Sequence, residues 1–232
     1  MKEVQLISND YPSRMKEILD ESWKIFKSQF VHKRNDIDKE APFQLQFASI
    51  IKNVGELYTI RPDEQFYVNR ETKFEDIKND GRPKIVDITM GFKKFEKYSE
   101  NSDLYKVTDY KCAIELKFKT KAQGAQNIGR INVYQDLESL EHVCRNYGCS
   151  FGKFYMITDD VLYTKVPKET SYVSAFNTSD GYETNGGTVH KYDGKGGKTD
   201  KYDSIELKGS YRFEWEHCME DNWYFLELDI TK

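Results

Sequence analysis

A chain of 232 residues, 38% hydrophobic and 14% aromatic, carries enough apolar side chains for a folded core that needs neither disulfides nor a structural metal. Its 39 acidic and 35 basic residues leave a formal net charge of −4, which argues against a protein that coats nucleic acid through overall basic charge. No apolar run approaches the roughly 18 residues of a membrane span, and Met1–Leu6 lacks the apolar core of a signal peptide, so a soluble, cytoplasmic protein with no membrane partner is expected.

From the N-terminus, Met15, Ile18, Leu19, Trp23, Phe26 and Phe30 recur at helical spacing and predict an amphipathic helix over Tyr11–Val31. A second helix is expected over Ala41–Val54, with Pro42 in its first turn, Gly55 as its stop, and Phe43, Phe47, Ile50, Ile51 and Val54 on its inner face. Glu40 falls on the same side as Phe43, Phe47 and Ile51. It either reaches into whatever that face covers or simply sits favourably at the positive end of the helix. Leu57–Ile60 and Gln65–Asn69 read as a strand or hairpin, followed by a polar loop through Asp80-Gly81-Arg82-Pro83.

Two apolar, β-rich runs come next. Ile85-Val86-Asp87-Ile88-Thr89-Met90 and Cys112-Ala113-Ile114-Glu115-Leu116-Lys117-Phe118 read as strands buried on both faces, joined by a long loop through Lys93–Tyr110. Alternation puts Glu115 and Lys117 on the face of Ala113, with Ile114, Leu116 and Phe118 opposite. A Glu-x-Lys pair is commonest on a solvated face, but an unpaired charge in a buried strand is costly and calls for a reason. If the strands are neighbours, the Asp87 and Glu115 carboxylates can hold a hard divalent cation, with Lys117 in reach of the same spot.

Beyond Lys117, the polar stretch Thr120–Arg130, with Gly124 and Gly129, reads as a loop, and Asn132–Tyr147 as a helix with Val133, Leu137, Leu140, Cys144 and Tyr147 inward. Lys119, Lys121 and Arg130 cluster after the motif strand, and Gln126 lies in that loop; they read either as contacts to nucleic acid or as a solvated face. Phe154–Thr158 reads as a buried strand. Residues 161–232 read as a β-rich extension, with strands at Tyr211–Glu216 and Leu226–Ile230 around a Gly-rich stretch, Gly181–Asp203. The glycine pairs at 186–187 and 196–197 open no phosphate-binding helix. The four cysteines form no CxxC pair and the four histidines no HxxxH or HExxH pattern. Reduced core thiols are therefore expected, and a histidine-bound metal is not.

Asp87 followed by Glu115-Leu116-Lys117 and then a helix resembles the PD-(D/E)xK nucleases, the restriction-endonuclease-like superfamily, over about residues 36–160. The motif's proline departs from the pattern, because Pro83 lies four positions before Asp87 rather than next to it. The resemblance implies an α/β fold, a central mixed β-sheet flanked by helices. An N-terminal helical segment (1–35) would pack on the core (36–160), and the β-rich C-terminal extension (161–232) would belong to the same domain. It implies a Mg²⁺-dependent endonuclease acting on DNA, with Mn²⁺ as a substitute. Asp87, Glu115, the Leu116 carbonyl and Glu40 would bind metal, and Lys117 would orient water or stabilise the transition state. Some members use a Gln and a Tyr of the following helix; here Tyr134, Gln135 and Asp136 lie there. Double-strand cutting would call for a homodimer. The alternatives are an inactive nucleic-acid or protein-binding module on the same fold, and an unrelated interaction protein whose Asp87 and Glu115 lie on different faces.

Overall fold

The computed structural model describes residues 6–75, 83–99, 102–124, 126–192 and 204–230. The loop through Asp80-Gly81-Arg82, the Gly196-Gly197 pair and the end of the Gly-rich stretch lie outside the described residues. Three helices, α1 (Tyr11–Val31), α2 (Glu40–Leu57) and α3 (Gln126–Asn146), flank a mixed six-stranded sheet. Its strands are β1 (Glu64–Phe74), β2 (Lys84–Lys97), β3 (Tyr105–Lys119), β4 (Phe151–Thr158), β7 (Trp215–Cys218) and β8 (Trp223–Ile230), in the order β1-β2-β3-β4-β8-β7. Only β3 and β4 pair in parallel; their connection is α3. Two short strands, β5 (Thr188–His190) and β6 (Ile205–Leu207), form a separate ribbon.

Helix α1 begins where Asp10 accepts hydrogen bonds from the Ser13 backbone N–H (2.9 Å) and hydroxyl (2.7 Å), with Pro12 in the first turn. Its apolar stripe packs with that of α2 against one face of the sheet, where Trp23, Phe26, Phe43, Phe47 and Tyr155 interlock. Each such ring, fully buried, contributes about 1.5–3 kcal/mol. Helix α3 covers the other face together with the C-terminal third, joining Leu137, Leu140, Phe154 and Met156 to Phe176, Leu207 and Phe213. Strand β4 is buried throughout and feeds both layers alternately, as its unbroken apolar run predicts. Cys112, Cys144 and Cys149 are buried and Cys218 is half-buried.

The structure corrects several boundaries. Lys93–Tyr110 is no long loop: β2 and β3 stay paired as far as Lys97↔Tyr105, so Lys93, Lys94 and Lys97 sit on a strand. This arm has little buried surface to impose alternation, and lysines obscure its pattern. Gly55 does not end α2, which runs on to Leu57; a Cβ there would lie 2.0 Å from the Phe66 ring, so the glycine serves the helix–strand contact. Likewise, Thr120–Arg130 is no loop over the site. It forms a 3-10 turn (Lys121–Gln123) and the start of α3, and the helical residue 129 is a glycine because a Cβ there would lie 1.9 Å from Tyr163 Oη. Tyr211–Glu216 is mostly not a strand; Arg212 makes an isolated bridge to Glu183, and β7 begins at Trp215. Ile85, expected to be buried, is 52% exposed.

The sheet is distorted at one place that matters. On β2, Ile88, Met90 and Phe92 pack in the α1/α2 layer while Val86 packs in the α3 layer. Side chains two apart normally share a face, so the strand twists through Asp87. Strand β1 makes the same change: Phe66 lies in the first layer and Phe74 in the second, with Glu71 between them at φ 49°. The pairs step from Arg70↔Ile88 to Thr72↔Val86, bracketing Glu71 and Asp87. On the other side, the β2–β3 pairing ends at Ile88↔Ile114, one residue short of Asp87 and Glu115.

Candidate functional site

Where the β2–β3 ladder stops, side chains replace it. The Leu116 N–H donates to Asp87 Oδ2 (2.7 Å), and Gln44 Nε2, from α2, donates to the Asp87 carbonyl oxygen (2.9 Å). Asp87 is thereby fixed at the opening between the two strands. Glu115, 8% exposed, hydrogen-bonds Asp87 and has its pKa held well above the usual carboxylate range. Burial is the main cause, followed by the charges of Asp136 and Asp87 and the hydrogen bond with Asp87; Lys117 only partly offsets them. Glu115 therefore holds its proton beside Asp87.

Lys117 Nζ lies 2.9 Å from Asp136 Oδ2 and 3.7 Å from Glu40 Oε2. Burial opposes its charge, but Asp136, Glu40 and Glu115 more than offset that and raise its pKa, so it stays a cation. Burial first, then the charges of Glu40 and Asp87, push Asp136 up to about 6 even though Lys117 pulls the other way. Glu40, the first residue of α2, also accepts the Phe118 N–H (3.4 Å), tying the helix N-terminus to the end of β3.

Glu40, Asp136 and Glu115 therefore act on the Lys117 ammonium, and Asp87 lies next to Glu115 and Asp136, four carboxyl groups to one cation. That excess negative charge is what a hard divalent cation would balance. Among the described residues, no three Asp, Glu, His or Cys side chains converge as a ready-made ion cage. Asp87 and the neighbouring Glu115 nonetheless fit Mg²⁺, which commonly takes one or two protein carboxylates and keeps its waters.

Of the residues expected here, Asp87, Glu115, Lys117, Leu116 and Glu40 are brought together. Lys121 is exposed and Lys119 and Gln126 are half-buried near the same strand end. Arg130 is placed elsewhere. It is 3% exposed, and its guanidinium donates to Thr178 Oγ1 (2.9 Å) and to the carbonyls of Lys165 (2.6 Å) and Leu162, so it anchors the C-terminal third rather than facing solvent. Tyr134 is also buried and donates to the Asn177 carbonyl.

Sequence reading gave no role to Gln44 and little to Asp136. Gln44 had a signal, being one helical turn beyond Glu40 and so on the same face. Comparison with protein-family models, with curated proteins and with solved structures finds no match to this chain.

Proposed function

We propose that the chain is a divalent-metal-dependent nuclease of the PD-(D/E)xK type, hydrolysing phosphodiesters, with DNA cut internally as the leading substrate. The observation that carries this reading is geometric: Asp87, fixed by the Leu116 N–H where β2 and β3 part, lies against Glu115, with the Lys117 cation held nearby by Asp136. The order α2, β1, β2, β3, α3, β4, with α3 between the parallel strands, supports a restriction-endonuclease-like core. Fold likeness alone would not carry the chemistry.

In this mechanism Asp87 and Glu115 would hold the metal. A strand residue turns its N–H and C=O to the same edge, so the Leu116 carbonyl offers a further oxygen. When bound, the cation supplies Lewis acidity toward water and balances charge on the phosphate. Lys117 Nζ, kept charged and held by Asp136, donates hydrogen bonds to the attacking water or a phosphate oxygen. Glu40 stays on the ammonium and the Phe118 N–H, or turns to the metal as a third carboxylate. Lys119, Lys121 and Gln126 are the proposed contacts to the nucleic-acid backbone.

Plasmid and oligonucleotide cleavage with Mg²⁺ or Mn²⁺ tests this. Asp87→Ala and Lys117→Ala are each expected to lower the rate by about 10³-fold or more, the scale of losing an electrostatic element of transition-state stabilisation. Equal residual activity in wild type and both variants would overturn it. The lack of a three-ligand cage among the described residues favours a second reading, a binding module on the same architecture without catalysis. That module would bind oligonucleotide without cutting it and without needing Mg²⁺.

A further inference from the structure

A groove with a volume of about 620 Å³ opens beside the Asp87 site, and nothing above gives it a role. Its lining includes the cations Arg34, Lys39 and Arg70, together with Asn35, Gln44 and two carboxylates, Asp36 and Glu71. Three cations thus converge from three separate parts of the chain: the segment after α1, the residue capping α2, and β1. All three are exposed, in a protein whose net charge is −4.

Two further features mark the groove as a place for an anion. Lys39 is the N-cap of α2, so its ammonium lies at the positive end of an 18-residue helix whose backbone no N-cap side chain satisfies, although Glu40 shares that first turn. Leu45, 51% exposed, lines the groove too and offers an apolar surface to a sugar or base. A compact anion would use the charges alone, whereas a nucleic-acid strand uses both.

The groove also shares a wall with the site. Gln44 lines it and donates to the Asp87 carbonyl, and Glu71 lines it where β1 twists opposite Asp87. A strand whose phosphate lies at Asp87 and Glu115 therefore has its neighbouring phosphates beside these cations. We propose that this groove is the track for the substrate strand on one side of the scissile phosphate, with Arg34, Lys39 and Arg70 binding its phosphodiester backbone without reading its bases. This inference rests on the nuclease reading and names a substrate contact of that same site.

The test is binding of a fluorescently labelled oligonucleotide in EDTA, where cleavage is silent, measured across a salt series for wild type, Arg34→Ala/Arg70→Ala and Lys39→Ala. Both side chains of the double variant are exposed, and an unchanged melting temperature checks that it is folded. Each lost phosphate contact lowers the slope of log K against log salt by about 0.7–0.9. The double variant is expected to bind roughly tenfold more weakly at low salt, with a slope shallower by about 1.4–1.8. Lys39→Ala should lose about half as much slope. Wild-type affinity and slope in both variants, with Mg²⁺-dependent cleavage by wild type intact, would overturn the groove and leave the nuclease reading standing. Wild-type protein that neither binds nor cleaves would overturn both.

Discussion

Glu64 and Glu115 are buried to the same degree, 7% and 8% exposed, yet their carboxyl groups are driven in opposite directions. Glu64 receives Arg14 Nη1 (2.6 Å) and Nη2 (3.1 Å) and the N–H groups of Ile60 (2.7 Å) and Arg61 (3.2 Å). Burial opposes its ionisation, but these donors prevail and hold its pKa below the usual carboxylate value. Glu115 has Asp87 and Asp136 for neighbours and is held far above that value. Burial pushes both upward; at Glu64 the donors overcome it, whereas at Glu115 the neighbouring carboxylates add to it. One site is saturated and reads as structure, while the other keeps a proton that a bound cation could replace. The buried Lys153 belongs with Glu64, because Glu227 and Asp229 together satisfy it.

The comparison breaks most visibly at Glu64. Replacing one partner of a buried ion pair leaves the other charge stranded, so Glu64→Gln is expected to cost about 3–5 kcal/mol. For a chain of this size that is a fall in melting temperature of roughly 6–20 °C by calorimetry. A loss within the ordinary scatter of surface substitutions would mean that the Arg14–Glu64 pair does not organise the α1–β1 junction.

A smaller effect sharpens the other half. Asp136 has a folded pKa of about 6 against 3.8 for the free side chain, so the folded state binds its proton more tightly. The stability this gives is complete below about pH 4 and is lost as pH rises through about 6. Asp136→Asn has no such proton to lose. In urea melts from pH 4 to 7, wild type should lose stability relative to the variant across that window; parallel profiles would show that Asp136 is not strained.

Much of this contrast was legible in the chain and part of it was not. Asp87, Glu115 and Lys117 announced themselves because charges interrupt apolar strands, where alternation fixes which residues share a face. Glu40 followed from helical spacing. What escaped were features set by partners far along the chain. Arg130 looks like a surface cation until Thr178 and Leu162 close around it. Gln44 looks like an ordinary helix residue until Asp87, 43 positions away, accepts its N–H. The start of α3 was hidden by Gly129, which is small because of Tyr163 and not because the chain turns there.

The central claim is that the Asp87–Glu115 pair awaits a divalent cation, and Mg²⁺-dependent melting of wild type and Glu115→Gln at pH 8 tests it most directly. Wild type should gain about 1.4 kcal/mol at a Mg²⁺ concentration tenfold above its Kd, or roughly 3–6 °C. Without Mg²⁺, Glu115→Gln should melt above wild type, since glutamine needs no proton beside Asp87, and added Mg²⁺ should leave it unchanged. A wild-type protein indifferent to Mg²⁺, or a variant that responds as wild type does, would contradict the account.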